Sequence, residues 1–186
     1  MKGMAKVGIL TEKVYGLKIP QLTNLAKKIG KNSTLAQQLW EINSQETRIL
    51  ACMIEDPKKV SKQQIDNWVK DFDFCEIYDQ CIMKLIEKTP YTHMKIYDWI
   101  PQDEEYIKRA GYVLIARLAV GYKKSPDDVF KKYLPLIKNT VTDDRRSVKL
   151  AVNWALRQIS KRNKTLNLDT IKTAEEILKI DFKVAH

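Results

Sequence analysis

Apolar residues in this chain return every three or four positions almost from end to end, and alternating runs long enough for paired strands are hard to find. Such a chain can bury its apolar stripes only by packing helix against helix. The punctuation between stripes places the helices. Pro20 sits in the first turn of a helix running to about Ile29, and Ser33 caps the next, whose Leu35, Leu39 and Trp40 share a face. Ser44 opens a third helix containing Arg48, Leu50, Ala51 and Met53, and Ser61 a fourth with Ile65 and Trp68. After a turn at Asp71 to Asp73, a helix runs from about Cys75 to Lys88 and is closed by Pro90. A short segment from His93 to Ile100 follows. Asp103, Glu104 and Glu105 then place negative charge at the start of a long helix reaching about Tyr122. Ser125-Pro126-Asp127-Asp128 begins another, and Asn139 to Asp144 is the turn before the helix that carries Trp154. The last runs from about Asp169 to Ile180, for roughly ten helices in all.

The connections are short, which predicts antiparallel neighbours stacked in pairs. Glu46-Thr-Arg-Ile-Leu-Ala-Cys-Met-Ile, Tyr106-Ile-Lys-Arg-Ala-Gly-Tyr-Val-Leu and Ser147-Val-Lys-Leu-Ala-Val-Asn-Trp-Ala share a basic residue followed closely by Ala or Gly and apolar residues. Together with the Cys75 helix they recur at roughly 30 to 45 residues, the period of HEAT-like helical hairpins. The expected fold is therefore an all-α, HEAT-like repeat α-solenoid, a curved superhelix of antiparallel helix pairs. A length of 186 residues fits one such domain over the whole chain, residues 1–186, with a sizeable core. In such arrays the second helix of each pair lines the concave side, where the basic residues would gather.

Thirty-three Lys and Arg against 23 Asp and Glu leave a formal charge of +10, which favours a polyanionic partner. An acidic membrane surface is the rival partner, yet the longest apolar runs, such as Gly111 to Gly121, contain an Arg and are too short to span a bilayer. No basic segment followed by an apolar one opens the chain, so the expected location is the cytoplasm, without membrane association. The three cysteines, Cys52, Cys75 and Cys81, are odd in number and form no Cys-x-x-Cys pair; they are expected to be reduced core residues. His93 and His186 supply no His-rich cluster, so neither a metal nor any other cofactor is expected. No Ser-His-Asp order, Gly-rich phosphate loop or Walker sequence is present, which leaves ordinary hydrolase and nucleotide-dependent chemistries without support.

Trp154 and Arg157 stand three residues apart and so share one strip of their helix. Asn153 and Lys149 on the same helix join Arg157 as candidate DNA contacts. An isolated Trp ordinarily belongs to a core, the role assigned to Trp40, Trp68 and Trp99. The polar company of Trp154 argues instead for a groove-facing position. The pairs Lys123-Lys124, Lys131-Lys132, Arg145-Arg146 and Lys161-Arg162 read as a solvated face, a subset of which tracks phosphates.

Val14-Tyr-Gly-Leu-Lys-Ile-Pro-Gln-Leu, Leu35-Ala-Gln-Gln-Leu-Trp-Glu, Glu46-Thr-Arg-Ile-Leu-Ala, Tyr78-Asp-Gln, Ile107-Lys-Arg-Ala and Asn153-Trp-Ala-Leu-Arg together resemble the DNA alkylation repair family of AlkD-like HEAT-repeat DNA glycosylases, from about Val14 to Ile180. The resemblance implies excision of purines alkylated at N3 or N7 from double-stranded DNA, with recognition from the backbone side. It implies that Asp79 is the catalytic carboxylate, Arg109 a phosphate contact, Trp154 the aromatic wall against the sugar and Arg157 a basic residue one turn on. Without that likeness Asp79 is a solvated carboxylate and Arg109 a partner in an inter-repeat salt bridge. The pattern also departs from the family: Cys75 stands where a second Trp is usual, Val7 falls about where active members carry a Tyr, and the N-terminal helical pair, Met1 to Lys13, is short.

The chemistry requires little. An alkylated purine is cationic and leaves neutral, so no general acid is needed, unlike glycoside hydrolysis by paired carboxyl groups. What remains is to stabilise oxocarbenium-like charge on deoxyribose and to orient water. The expected function is a monomeric DNA N-glycosylase. The alternative is a non-catalytic HEAT-like protein that binds damaged or branched DNA; a protein–protein scaffold fits the fold but leaves the charge unexplained.

Overall fold

The computed structural model describes residues 15–71 and 75–184, with side chains over 15–71 and 77–180. Those residues form helices and no strand. They fall into two compact units, residues 1–91 and 92–186.

The first unit contains α1 (Ile19–Ile29), α2 (Ser33–Glu41), α3 (Gln45–Ile54), α4 (Lys62–Lys70) and α5 (Cys75–Lys84), with a 3₁₀ turn at Ile86–Lys88. Pro20 lies in the first turn of α1, where its missing N–H costs no helical bond. Gly30 stops that helix at φ 74°, a conformation at ease only without a Cβ. The cap of α2 is Asn32 rather than Ser33: Leu35 N–H donates to Asn32 Oδ1 at 3.0 Å. Ser33 instead donates to Glu55 Oε1 at 2.5 Å, a role set by a residue 22 positions away. Ser44 and Ser61 cap α3 and α4 as expected. Around α3 the core collects Leu22, Trp40, Ile49, Ile54, Ile65 and Ile82, all buried. Trp40 and Trp68 stack with ring centroids 4.1 Å apart, and the Arg48 guanidinium lies 5.2 Å over Trp40.

Cys52 and Cys81 are buried, as expected of core cysteines, but the structure joins them in a disulfide between α3 and α5, with Cα atoms 5.1 Å apart. This corrects the expectation of reduced thiols. A pairing across 29 residues depends on how two helices pack, which Cys count and spacing do not reveal.

The second unit contains α6 (Thr92–Trp99), α7 (Glu105–Gly121), α8 (Asp127–Lys131), α9 (Leu134–Asn139), α10 (Arg146–Ser160) and α11 (Lys164–Val184). The single helix expected from Ser125 is broken into α8 and α9 around Tyr133, and Pro135 falls in the first turn of α9. At the other end α11 starts earlier than expected, because Asn163 Oδ1 accepts from Leu166 N–H at 2.9 Å.

Its centre is the pair α7 and α10. At their N-terminal ends Ser147 bonds the Glu105 carboxylate and Arg145 bonds the Asp103 carbonyl. At their C-terminal ends Arg162 reaches the Ala119 carbonyl at 2.9 Å. Start meets start and end meets end, so the two helices run parallel, in a register of 42–43 residues. The two similar segments align 41 residues apart, Lys108 with Lys149, close to this register, and both fall in the HEAT range of about 40–47.

Gly111 permits close contact inside this unit. A Cβ there would lie 2.7 Å from Ile100 Cγ1 and 3.3 Å from Ile100 N. Gly111→Ala is therefore expected to lose about 1–3 kcal/mol to overpacking, only partly offset by the ~0.5–1 kcal/mol by which a helix favours Ala. A lower melting temperature checks this; a higher one would show that Ile100 swings clear.

Candidate nucleic-acid interface

On α10, Val148, Ala151, Ala155 and Ile159 are buried at spacings of three and four and anchor the helix. Opposite that stripe, Leu150, Trp154 and Arg157 follow at i, i+4 and i+7. Leu150 is 61% exposed, Trp154 half-buried and Arg157 exposed. Trp40, Trp68 and Trp99, in contrast, are exposed by 5%, 4% and 3%. Arg157 makes no side-chain hydrogen bond or ion pair with a described residue. Asn153 is exposed next to this strip. Lys149, one turn before Asn153 on the same flank, pairs its ammonium with Asp144 at 2.8 Å.

Arg109, half-buried on α7, is level in the parallel register with Ala151, about one turn or ~4.5 Å along the axis from Trp154. It shares a strip with Tyr106, Arg117 and Val120, which emerge from an otherwise buried helix. Arg117 was not singled out from the sequence, although its i+8 spacing from Arg109, with Val113 between, is the signal that places both on one strip. Both arginines already make interactions of their own.

Asp79 belongs to the first unit. On α5, Ile77, Tyr78, Cys81 and Ile82 face the core, leaving Asp79 half-buried on one flank. It too already has an interaction partner. The Cys75 side chain, Val7 and the segment Met1 to Lys13 lie outside the described residues.

The paired basic residues divide once folded. Arg145 holds Asp143 with Nε at 2.9 Å and Nη2 at 2.5 Å, and Lys108 approaches the same carboxylate at 3.4 Å. The Arg145 hydrogen bonds, first among several causes, keep the Asp143 carboxyl far below the usual carboxylate range. Arg162 donates to the carbonyls of Ala119, Tyr122, Lys123 and Ser125 between 2.9 and 3.1 Å, and its guanidinium lies 3.9 Å over the Phe130 ring. It thus satisfies the carbonyls that the end of α7 leaves open. Neither arginine is held ready for a ligand. Arg162→Ala is expected to cost about 2–3 kcal/mol, because charge-assisted bonds to several carbonyls vanish together; the urea midpoint of helix loss measures it, and Arg162→Lys, lacking the planar fork, should recover little. Lys132, Arg146 and Lys161, by contrast, are exposed.

Among the described residues no group of three or more His, Cys, Asp or Glu could hold a metal ion, and no helix is long and apolar enough to cross a membrane.

Two parallel helices offset by 42–43 residues, in a chain of helix pairs, fit a repeat protein of the HEAT-like class. The chain belongs to the DNA alkylation repair enzyme family, whose model it matches over residues 1–179. Its fold superposes with a TM-score of 0.82 on a solved protein described as one of a new family related to the HEAT-like repeat DNA glycosylases with affinity for branched DNA structures; that match has 21% identity and covers 95% of this chain and 76% of the other. Two uncharacterized proteins are also similar, Lmo0209 of Listeria monocytogenes and Lin0241 of Listeria innocua, each 28% identical over 104 residues. These matches cover 53% of this chain and 46% of each relative, so the chain spans about half the length of the curated relatives it matches.

Proposed function

We propose that the protein is a DNA N-glycosylase that excises purines alkylated at N3 or N7. The observation that carries this reading is Trp154: in a fold that buries its other three tryptophans, this one stays half exposed, on a strip with an arginine that pairs with no described residue. A half-exposed indole one helical turn from a guanidinium suits a sugar–phosphate backbone, the ring packing on deoxyribose and the guanidinium taking phosphate. In this reading Asp79 supplies the negative charge that stabilises an oxocarbenium-like sugar and orients water, since a fixed carboxylate acts most strongly where positive charge develops. Arg109 and Arg157 hold flanking phosphates, with Asn153 and Lys149 as further DNA contacts, so binding weakens steeply with salt. The reading takes the protein as a monomer acting on double-stranded DNA from the backbone side, without a cofactor. Incubation with N3- and N7-methylated duplex tests it: methylated base is released by the wild type, and no release would overturn the assignment.

A second reading is non-catalytic binding to damaged or branched DNA. The affinity for branched DNA given for the structurally similar protein favours it, as does Cys75 at the position of a family Trp. Tight, salt-sensitive binding to a four-way junction without base release selects this reading.

A further inference from the structure

The first unit also holds a cavity of about 280 Å³ whose lining includes Lys27, Lys31, Lys84 and Lys88 and no carboxylate. Its lysines come from separate elements. Lys27 is in the last turn of α1, Lys84 ends α5, and Lys88 ends the 3₁₀ turn. Lys31 follows the Gly30 stop and donates to the carbonyls of Met53 at 3.0 Å and Glu55 at 2.8 Å, at the C-terminal end of α3 where a cation is favoured. No other fixed cation here is neutralised: Lys27, Lys84 and Lys88 make no ion pair with a described residue.

The acids whose charge acts on Lys31 are already engaged. Glu55 is fully buried, with Oε1 accepting from Ser33 and from Asp56 N–H and Oε2 from Gln64 Nε2 at 2.7 Å. Asp56 Oδ1 accepts from Lys58 N–H at 2.9 Å. Burial, and then repulsion from Lys88, push the Lys31 ammonium below its ordinary pKa, despite the opposing pull of Asp56 and Glu55. Like charges lining one cavity without a lining carboxylate are relieved by a bound anion. Four ammonium groups suit a phosphate, whose oxygens accept several donors at once, better than a single carboxylate.

We propose that this cavity is a phosphate site on the opposite flank of α5 from Asp79, and that it takes a backbone phosphate of a nucleic-acid strand. Asp79 and Lys84 are five residues apart on that helix, about 140° around its axis and ~7.5 Å along it. The buried stripe of Ile77, Cys81 and Tyr78 lies on one side, so the two flanks meet different parts of a ligand. The nucleic-acid occupant rests on the DNA-binding reading above; the anion site rests on the lysines alone.

The test uses the full chain and an undamaged fluorescent duplex, with affinity read from anisotropy across a salt series. Lys84→Gln/Lys88→Gln should flatten the slope of log affinity against log salt by about 0.9, the loss of the one phosphate the cavity holds. Lys27→Gln, on the exposed rim, should flatten it in the same direction by a smaller amount and covers the case in which the half-buried Lys84 change perturbs folding. Lys58→Gln/Lys59→Gln removes the same charge outside the cavity and should leave the slope unchanged; equal flattening there overturns the site in favour of general charge. Inorganic phosphate, titrated while the lysine side-chain NMR signals are followed, separates the sources. Phosphate-induced shifts that the cavity variant loses, together with an unaltered DNA slope, overturn the strand as occupant and leave free phosphate in its place. If the wild type binds no DNA even at low salt, the DNA reading fails and this titration alone decides: shifts in wild type that vanish in the variant retain the anion site, and no shift removes it.

Discussion

Asp79→Asn is expected to lower the rate of methylated-purine release by on the order of a hundred- to a thousand-fold while leaving DNA affinity nearly unchanged. The exchange keeps the shape of the side chain and removes its charge. Because the leaving purine is already cationic, no proton has to be delivered, and the barrier lies in positive charge building on deoxyribose. A carboxylate acts on that charge far more strongly in the transition state than on the neutral sugar of the ground state, so its loss falls on the chemical step rather than on binding. Single-turnover release from N7-methylguanine duplex, set beside binding to the same duplex, separates the two effects. As Asp79 already has an interaction within the fold, the variant's thermal melt is compared with wild type. A folded variant with undiminished release would remove Asp79 from the mechanism. A variant that loses affinity and rate together would make it a binding group.

Reduction of the Cys52–Cys81 bond carries the largest expected effect on stability. The bond closes a loop of 29 residues joining α3 to α5, and the chain-entropy relation assigns such a cross-link about 3–4 kcal/mol. Buried sulfurs in well-packed surroundings leave little room to absorb the loss. Reductant, or Cys52→Ala/Cys81→Ala, should lower the urea midpoint. Hydrogen exchange should locate the change, with faster exchange in α3 and α5 and unchanged protection in α7 and α10, which belong to the other unit. Alkylation under denaturing conditions should label one thiol of the three before reduction and all three after it. Three labelled thiols without reductant, or an unmoved midpoint, would contradict the assignment.

Much of the candidate interface is legible before folding. Trp154 and Arg157 are bound to share a strip by their spacing, and α7 and α10 are recognisable as repeats because each pairs a basic residue with small and apolar ones at the same interval. Arg117 escaped notice because it sits inside an apolar run, where a single charge reads as an interruption rather than as the second member of a strip. Arg145 and Arg162 read in the sequence as part of a solvated face, because a basic pair looks alike whether it meets water or a carbonyl 40 residues away. Lys149, on the same helix as Trp154, turns to Asp144 because five residues bring an acid within reach of its flank.

The sequence by itself determined what depends on near neighbours: the helical stripes, the caps at Ser44 and Ser61, the Pro20 start, the strong positive charge and the repeat interval. Helix periodicity, capping and side-chain spacing act within about four residues, so each is written in a short stretch of chain. Only the tertiary structure decided that two core cysteines bond, that Ser33 serves Glu55 instead of a cap, which arginines brace carbonyls and which stay open, and that four lysines from distant elements surround one cavity. Those outcomes depend on how helices pack across 22 residues of separation or more, a distance over which composition and pattern fix no geometry.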